Sequence, residues 1–396
     1  MRGFRWILVL IVLVVATVGA VYLSDRASEE PVAAKDGTVF PDLLDRINDV
    51  ARIRIDGAGE PFRIARTDDA WVVEEKDGYP ASRDRVHRLL LGGASFEYLE
   101  PKTSRPDYYP ELGVEDPEEE GADSLRIRLE DASGEELARW VLGNRRSSGA
   151  NRDRPEVYVR IADDPQVWLV EGSVPTGRSA VDWMERDIAS ISVERTRKVM
   201  VEHDDGDVIE VSKDERADSE FTLQDIPEGR EVDAAYRIGD IGGFIQDLRL
   251  DDVMARQKYD EQEFDSDNGL SLSVETFDGL RVLADIKRQG PDGWLVLRAE
   301  VDEEAFAESE AQAQAAADDS GEGEGKSEGE SESTAEESDA DAAQETLDRE
   351  AIVAEVESLN ERWSSWAYRL PNYKLSYIDV RMEGLTRIAE AEAEEG

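Results

Sequence analysis

The histidines are the first residues to consider for chemistry, because this chain of 396 residues has only two of them and no cysteine. His87 lies between Arg85 and Arg88 in a segment with helical spacing, and His203 ends the alternating segment VMVEH. A zinc site needs several such ligands at short spacing, and thiolate chemistry needs cysteine. We therefore predict no metal site and no disulfide, with His87 on a helix face and His203 at a strand end.

A second candidate for chemistry is the run Asp265-Ser266-Asp267-Asn268-Gly269. It places side-chain oxygens at alternate positions before a glycine, as calcium-binding loops do. The EF-hand pattern also needs a third ligand before the glycine and a glutamate six residues after it, and this register is missing. A turn before the strand LSLSV explains the Asn-Gly pair equally well, so no calcium site is predicted.

Motifs for nucleotide binding and acyl transfer are missing from the sequence. It contains no GxxxxGK[ST] loop, no GxGxxG after a strand and no GxSxG elbow. No carboxylate pair for glycoside hydrolysis stands out, because 93 residues are acidic. We predict a protein that is not an enzyme and holds no cofactor, with a cell-envelope hydrolase kept as an alternative.

The most distinctive segment is FEYLEPKTSRPDYYPELGVEDP, residues 96–117, which contains four prolines and three tyrosines. Pro101 and Pro106 prevent it from extending a helix or joining a central strand. We interpret the segment first as a joint between a helix and a sheet. If it binds a partner, the predicted partner surface consists of Lys102, Thr103, Tyr108, Tyr109 and Pro110.

Charge excludes one class of partner. The chain has 93 acidic and 46 basic residues, a formal net charge of −47. Residues 302–350 hold 19 acidic and 2 basic residues, and the rest of the chain carries the larger share of the excess. Such a charge repels the phosphate backbone of nucleic acids. We therefore predict no nucleic-acid partner.

The N-terminus has the features of a membrane address. Arg2 and Arg5 precede an uncharged apolar run from Trp6 to Leu23. This run would span about 27 Å as a helix, close to the hydrocarbon thickness of a bilayer. The positive-inside rule keeps the arginines in the cytoplasm, so we predict a single-pass anchor in the inner membrane with the C-terminal body in the periplasm. The alternative is a signal peptide cleaved after Val18-Gly19-Ala20.

The body of the chain contains two similar halves. Each half has strand patterns, an amphipathic helix, a linking segment and a hairpin, and the linking segment is residues 96–117 in the first half and LRLDDVMARQKYDEQEFDSDNG in the second. In the first half, residues 124–144 are predicted to form one hairpin and residues 156–172 another. The segment SWAYRLPNYKL (365–375) also echoes DWMERDIASIS (182–192). Alternating patterns with hairpin turns predict an α+β protein with an N-terminal transmembrane helix and two tandem, mostly antiparallel β–β–α–β–β repeats.

The predicted domain boundaries follow from these patterns and from composition. Residues 302–348 contain almost no large apolar side chains and cannot form a core, so they predict a disordered acidic insertion. The predicted organisation is a transmembrane anchor at 1–23, a tether at 24–37, a first repeat at 38–196, a second repeat at 197–301 plus 349–390, and the insertion at 302–348.

Several of these segments together resemble a known family. They are FPDLLDRINDVARIRID, a strand ending in WVV, GYPASRDRVHRLL, LEPKT, YxxLGVEDP, and LARWVLGN followed by YVR and VWLV. This pattern, which covers most of residues 1–301, resembles the family called domain of unknown function 4340. The resemblance implies a membrane-anchored auxiliary protein linked with ABC-type export systems, including those named for gliding motility, and it implies no catalytic residues.

These observations lead to one leading hypothesis and one principal alternative. The leading hypothesis is a membrane-anchored periplasmic accessory protein associated with the permease subunits of an ABC-type transport complex. The alternative is a module that binds an envelope ligand, whether polysaccharide, lipid or peptide.

Overall fold

The computed structural model describes residues 33–68, 70–146, 154–308 and 349–389, and it leaves out the side chains of residues 266–268. The predicted anchor at 1–23 and most of the predicted insertion lie outside these residues. Within the described part, no helix has both the length and the apolar composition needed to cross a bilayer. The chain divides into two units, Met1–Met184 and Glu185–Gly396.

Unit 1 is built on one nine-stranded sheet whose neighbouring strands pair antiparallel. Its strands are β1 (Val50–Asp56), β2 (Phe62–Thr67), β3 (Ala70–Val73), β4 (Tyr79–Pro80), β5 (Glu97–Pro101), β6 (Leu125–Asp131), β7 (Glu136–Arg146), β8 (Glu156–Ile161) and β9 (Val167–Glu171). The order across the sheet is β4-β3-β2-β1-β6-β7-β8-β9-β5. The strand that ends on Pro101 is therefore an edge strand, where a missing backbone N–H is tolerated.

The two predicted hairpins of unit 1 are confirmed. β6 and β7 pair from Leu125 opposite Leu142, and their turn contains Gly134 at a φ of +88°. β8 and β9 pair from Glu156 opposite Glu171, and Asp163 in their turn has a φ of +57°. A positive φ suits glycine and, next best, the short side chains of Asp and Asn.

One helix, α1 (Arg83–Ala94), covers what we call the inner face of this sheet. Val86 and Leu89 on α1 are fully buried, as their helical spacing predicts. Gly93 allows a close approach to the sheet, because a Cβ there would lie 3.0 Å from the Trp140 ring. Ser82 precedes the helix, and its backbone N–H donates to the Trp183 carbonyl at 2.7 Å.

Unit 2 contains an eight-stranded sheet and two two-stranded sheets. Its strands are β10 (Asp187–Ala189), β11 (Thr196–His203), β12 (Val208–Ser212), β13 (Thr222–Leu223), β14 (Arg230–Val232), β15 (Leu248–Arg249), β16 (Asp252–Ala255), β17 (Asp265–Thr276), β18 (Leu280–Gln289), β19 (Asp292–Val301), β20 (Trp366–Leu370) and β21 (Thr386–Ile388). The large sheet has the order β13-β12-β11-β17-β18-β19-β20-β16, and the small sheets pair β10 with β15 and β14 with β21.

A run of seven neighbouring strands has the same order in the two large sheets. The run β2-β1-β6-β7-β8-β9-β5 in unit 1 has its counterpart in β12-β11-β17-β18-β19-β20-β16 in unit 2. We call strands at the same place in these two runs corresponding strands. The mixed composition and the antiparallel pairing confirm the predicted α+β class with mostly antiparallel sheets.

The longer helices of the chain pack by their apolar positions. Ile238 and Ile241 of unit 2 are buried on a helix that contacts β11 and β12, and Ile352 is buried on the helix that follows residue 348. The helices after α1 are α2 (Tyr109–Leu112), α3 (Ala235–Gly242), α4 (Arg256–Glu261), α5 (Arg349–Trp363), α6 (Asn372–Ile378) and α7 (Met382–Leu385). Four 3-10 helices are also present in the described residues, at Ile47–Asp49, Glu74–Lys76, Pro106–Tyr108 and Ala180–Trp183.

Three details differ from the sequence-based expectations. The division falls after Met184 and not after residue 196, because β10 pairs with β15 inside unit 2. The described chain continues past residue 302 through a helical turn at 303–308, where Phe306 is buried. The segment 366–370 forms β20, the counterpart of β9, whereas Trp183 ends a 3-10 helix, so the echo between 182–192 and 365–375 is wrong.

Candidate functional site

The segment predicted as a joint or partner surface forms a small folded cap after the edge strand β5. We define the cap as residues 102–116, which include the 3-10 helix Pro106–Tyr108 and helix α2. Two backbone bonds continue the pairing with β9, since Lys102 donates to the Val167 carbonyl and Val167 donates to the Thr103 carbonyl, both at 2.8 Å. The cap is therefore attached to the sheet at its first residues.

Tyr109 fixes the cap onto the outer face of the sheet, opposite α1. Its ring is buried with Val114, Val141 and Val167. Val141 follows the inner-face residue Trp140 along β7, and successive strand residues point to opposite faces. The Tyr109 hydroxyl donates to the Pro165 carbonyl in the β8–β9 turn at 2.6 Å. Burial raises the pKa of Tyr109, so the phenol stays a neutral donor.

Arg160 closes the cap from the other side. Its guanidinium lies 4.8 Å from the centre of the Tyr109 ring, and its Nε donates to the Val114 carbonyl at 3.0 Å. The same guanidinium donates to Asp116 at 2.7 Å, and this bond lowers the pKa of the Asp116 carboxyl. The cap is thus held by an aromatic core, a backbone bond and an ion pair.

A glycine in β7 lets the cap backbone approach the sheet this closely. A Cβ on Gly143 would lie 2.4 Å from the Leu112 carbonyl oxygen and 2.5 Å from the Val114 side chain. Gly113 ends α2 at a φ of +67°, the left-handed conformation that suits a helix C-terminus. The position of the cap therefore depends on two glycines that the sequence analysis did not single out.

The five residues predicted as a partner surface differ in their burial and contacts. Tyr109 belongs to the core, and Lys102 and Thr103 are half-buried. Lys102 pairs with Glu100 at 2.7 Å, which lowers the pKa of that carboxyl, and the Thr103 hydroxyl accepts from the Arg105 backbone. Tyr108 is 41% exposed and Pro110 is exposed. Only Tyr108 and Pro110 remain available to a partner.

Unit 2 has a tyrosine at the corresponding place. Tyr259 lies on α4, which follows the edge strand β16 as α2 follows β5. It packs with Trp294, Val296 and Ala367, on β19 and β20, the strands that correspond to β8 and β9. The pattern Tyr-x-Glu, which occurs as YPE at 109–111 and as YDE at 259–261, is the sequence signal that links the two tyrosines.

The hydroxyl environments of the two tyrosines differ. Tyr259 is 2% exposed, yet its hydroxyl has no hydrogen-bond partner among the described residues. Burial raises the pKa of Tyr259 to about 12. In unit 1 the acceptor is a carbonyl of the short β8–β9 turn, whereas β19 and β20 are separated by residues 302–365. The Ser365 carbonyl, just before β20, accepts instead from the Arg256 backbone at 2.8 Å.

A recess of about 690 Å³ lies beside Tyr259 in unit 2. Its wall includes Phe264, Lys287, Asp285 and Glu202. The Lys287 ammonium lies 5.3 Å from the centre of the Tyr259 ring and 5.7 Å from that of Phe264. Aromatic rings beside a cation, carboxylates and an unpartnered hydroxyl can contact a polar ligand with both apolar and hydrogen-bonding surfaces.

The two histidines lie in different units, and His203 and Asp265 both line the recess beside Tyr259. His87 is exposed on α1, and the buried His203 ring lies 3.0 Å from the Val380 carbonyl. Asp265 accepts a backbone hydrogen bond from Gly290, and the side chains of residues 266–268 are outside the described set. Across the described ranges, no three His, Asp or Glu side chains are grouped so as to hold a metal ion.

Comparison with known proteins gives one match. The family model described as "Domain of unknown function (DUF4340)" matches residues 71–271, just over half of the 396 residues. The matched range begins in β3, includes the cap and ends within β17. No curated protein and no solved structure matches the chain.

Proposed function

The chain belongs to the DUF4340 family, and from this premise we propose that it is a non-enzymatic accessory protein of an ABC-type transport complex. In this proposal the predicted helix at 1–23 anchors it in the inner membrane, and two tandem β–β–α–β–β repeats form its periplasmic body. Anchoring supports such a role, because it raises the effective concentration of the body near membrane partners.

The observation that carries the proposal is the rigid presentation of Tyr108 and Pro110 by the cap. The buried Tyr109, the two glycines and Arg160 hold the neighbouring backbone, so the exposed pair is preorganised for contact. The Arg105 guanidinium lies 5.0 Å from the centre of the Tyr108 ring. Tyrosine and arginine are the residue types that most often dominate binding energy at protein interfaces.

The test is co-purification of the full chain from native membranes in a mild detergent. Wild type is expected to recover ABC permease and ATPase subunits. Tyr108→Ala is expected to reduce recovery, since truncating an interface hot spot costs about 2 kcal/mol, roughly 30-fold in affinity. Tyr236→Ala is the matched control, because Tyr236 is 71% exposed but lies on α3 of unit 2.

Two results would count against this proposal. If the wild-type protein recovers no transporter subunit, the proposed association with an ABC-type complex is refuted. Equal losses in Tyr108→Ala and Tyr236→Ala would show that exposed tyrosines in general, and not the cap, determine recovery.

A second candidate function is binding of an envelope ligand in the recess beside Tyr259. The unpartnered hydroxyl supports it, because buried polar groups without partners are rare and a ligand atom could supply the missing bond. Calorimetric titration with oligosaccharides and peptides from envelope digests tests it. Binding by wild type should weaken in Tyr259→Phe and persist in Tyr109→Phe; equal binding by all three proteins would exclude the recess as the site.

A further inference from the structure

A separate recess of about 600 Å³ lies in unit 1, where α1 meets the loop after β9. Arg85 and Arg88 of α1 and Arg145 of β7 line it together, and none of its lining residues in the described part of the chain is acidic. This composition is unusual for a chain in which acidic residues outnumber basic ones by 93 to 46. The recess is therefore a local basic site within a strongly acidic protein.

Two of the three arginines form no ion pair with a described carboxylate. Arg88 pairs with Asp84 at 2.9 Å, one turn away on α1. Among the described carboxylates, none lies within ion-pair distance of Arg85 or Arg145. Arg145 is instead oriented by donating to the Val174 carbonyl at 3.2 Å. The recess thus retains a positive charge that no side chain in the described ranges neutralises.

Arg85 carries the observation that points to a ligand. Its Nε is buried and has no acceptor in the described structure. The guanidinium is positioned over the Trp183 ring, 5.6 Å from its centre. A buried N–H without an acceptor calls for a missing partner, and the Nε edge of a guanidinium matches a carboxylate or phosphate in a two-point contact.

The size of the recess and its remaining wall define the ligand further. Ser95 and Thr176 add side-chain hydroxyls, and Leu91, which is 53% exposed, adds an apolar surface. A bare inorganic anion would fill a small part of this volume, which is typical of a site for an organic ligand. Arginine pairs with tetrahedral oxyanions by both charge and geometry.

We propose that this recess binds a phosphate group carried by an organic molecule, with Arg85 and Arg145 as the principal ligands of the phosphate. The phosphate belongs either to a lipid headgroup or to a small soluble ester, and both present the same oxyanion. This site is independent of the cap and of the recess beside Tyr259.

The experiment titrates the full chain, kept in a nonionic detergent at low salt, with two probes. Phenyl phosphate represents a soluble ester, and dihexanoyl phosphatidylglycerol represents a lipid headgroup. The variants Arg85→Gln and Arg145→Gln are expected to weaken binding by about ten- to a hundred-fold, as expected for loss of charged hydrogen bonds. Arg85→Lys retains the charge and loses the two-point contact, so an intermediate loss is expected.

Arg66→Gln is the matched control. Arg66 also lies in unit 1 and also donates to one backbone carbonyl, that of Asn48 at 2.9 Å, but it is outside the recess. Circular dichroism of each variant confirms that unit 1 is folded. Tighter binding of the lipid probe assigns the headgroup, and tighter binding of phenyl phosphate assigns the soluble ester. Binding of neither probe, or an equal loss in Arg66→Gln, overturns the proposal.

Discussion

Removing the same hydroxyl from two corresponding tyrosines is expected to change stability in opposite directions. Tyr109→Phe removes a donor that bonds the Pro165 carbonyl at 2.6 Å. Tyr259→Phe removes a buried hydroxyl that has no acceptor among the described residues. Both rings keep their apolar contacts, so the comparison isolates the polar group at each site.

The magnitudes follow from the surroundings of each hydroxyl. A typical intramolecular hydrogen bond contributes about 0.5 to 1.5 kcal/mol net. Pro165 is exposed, so its carbonyl can regain water, and we expect Tyr109→Phe to destabilise unit 1 by about 1 kcal/mol. A buried hydroxyl without a partner costs about 1 to 3 kcal/mol, so Tyr259→Phe should stabilise unit 2 by roughly 1 kcal/mol or more.

Calorimetry and hydrogen exchange can measure these changes separately in the two units. A change of 1 kcal/mol shifts the thermal midpoint of a unit of this size by about 2 to 4 °C. Exchange of backbone amides in β8 and β9 reports on unit 1, and exchange in β19 and β20 reports on unit 2. Each substitution should change protection in its own unit.

The double variant is the control for independence, because substitutions that share no partner should be additive. The reasoning is refuted if Tyr259→Phe lowers the stability of unit 2 as much as Tyr109→Phe lowers that of unit 1. That result would mean that the Tyr259 hydroxyl has a partner in solution.

Three further predictions follow from described contacts. Gly143→Ala should destabilise unit 1 by about 1 to 3 kcal/mol in thermal unfolding, because the added Cβ would overlap the cap backbone. Gly239→Ala in α3 is the control and should stabilise unit 2 by about 0.5 to 1 kcal/mol, because the space around its Cβ is open. Equal effects of the two substitutions would contradict the close approach of the cap. The stability of unit 2 should fall as pH rises from about 10 to about 12, because the unfolded state releases the Tyr259 proton near the ordinary pKa of 10.0 while the folded state keeps it. This dependence of stability on pH should be weaker in Tyr259→Phe. An unchanged dependence would refute the raised pKa of Tyr259. Replacement of residues 309–348 by a short Gly-Ser linker should leave the thermal midpoint within a few degrees of the wild-type value, because Arg349 after the segment pairs with Glu303 before it. Loss of cooperative unfolding would show that the segment contributes to the core.

Local pattern was sufficient for most of the secondary structure. The alternation in residues 124–144 and 156–172 predicted both hairpins of unit 1, because side chains on a strand alternate between faces whatever the partner strand is. The helix around His87 was predicted from the spacing of Val86, Leu89 and Leu90, all of which are buried. The prolines were interpreted as excluding a central strand, and β5, which ends on Pro101, is an edge strand.

The candidate site was predictable in part. The sequence identified the segment that contains Tyr108 and Tyr109, but the two residues have almost identical local contexts. Which of them is buried depends on Gly143 and Val167, far away in the sequence. The recess with Arg85 and Arg145 was missed, since residues 60 positions apart meet there only after the sheet and α1 have packed.

The last part of the chain shows most clearly what the sequence determines by itself and what only the tertiary structure determines. Residue types and their alternation were enough to show an α+β protein, two similar halves and an excess of negative charge, because these properties depend on neighbours along the chain. The place of β20 depended on pairing with β16 and β19, although residues 302–365 separate β20 from β19 along the chain. Because that long connection replaces a short turn, the described residues offer Tyr259 no acceptor of the kind that Tyr109 has, and only the packed sheet reveals this difference.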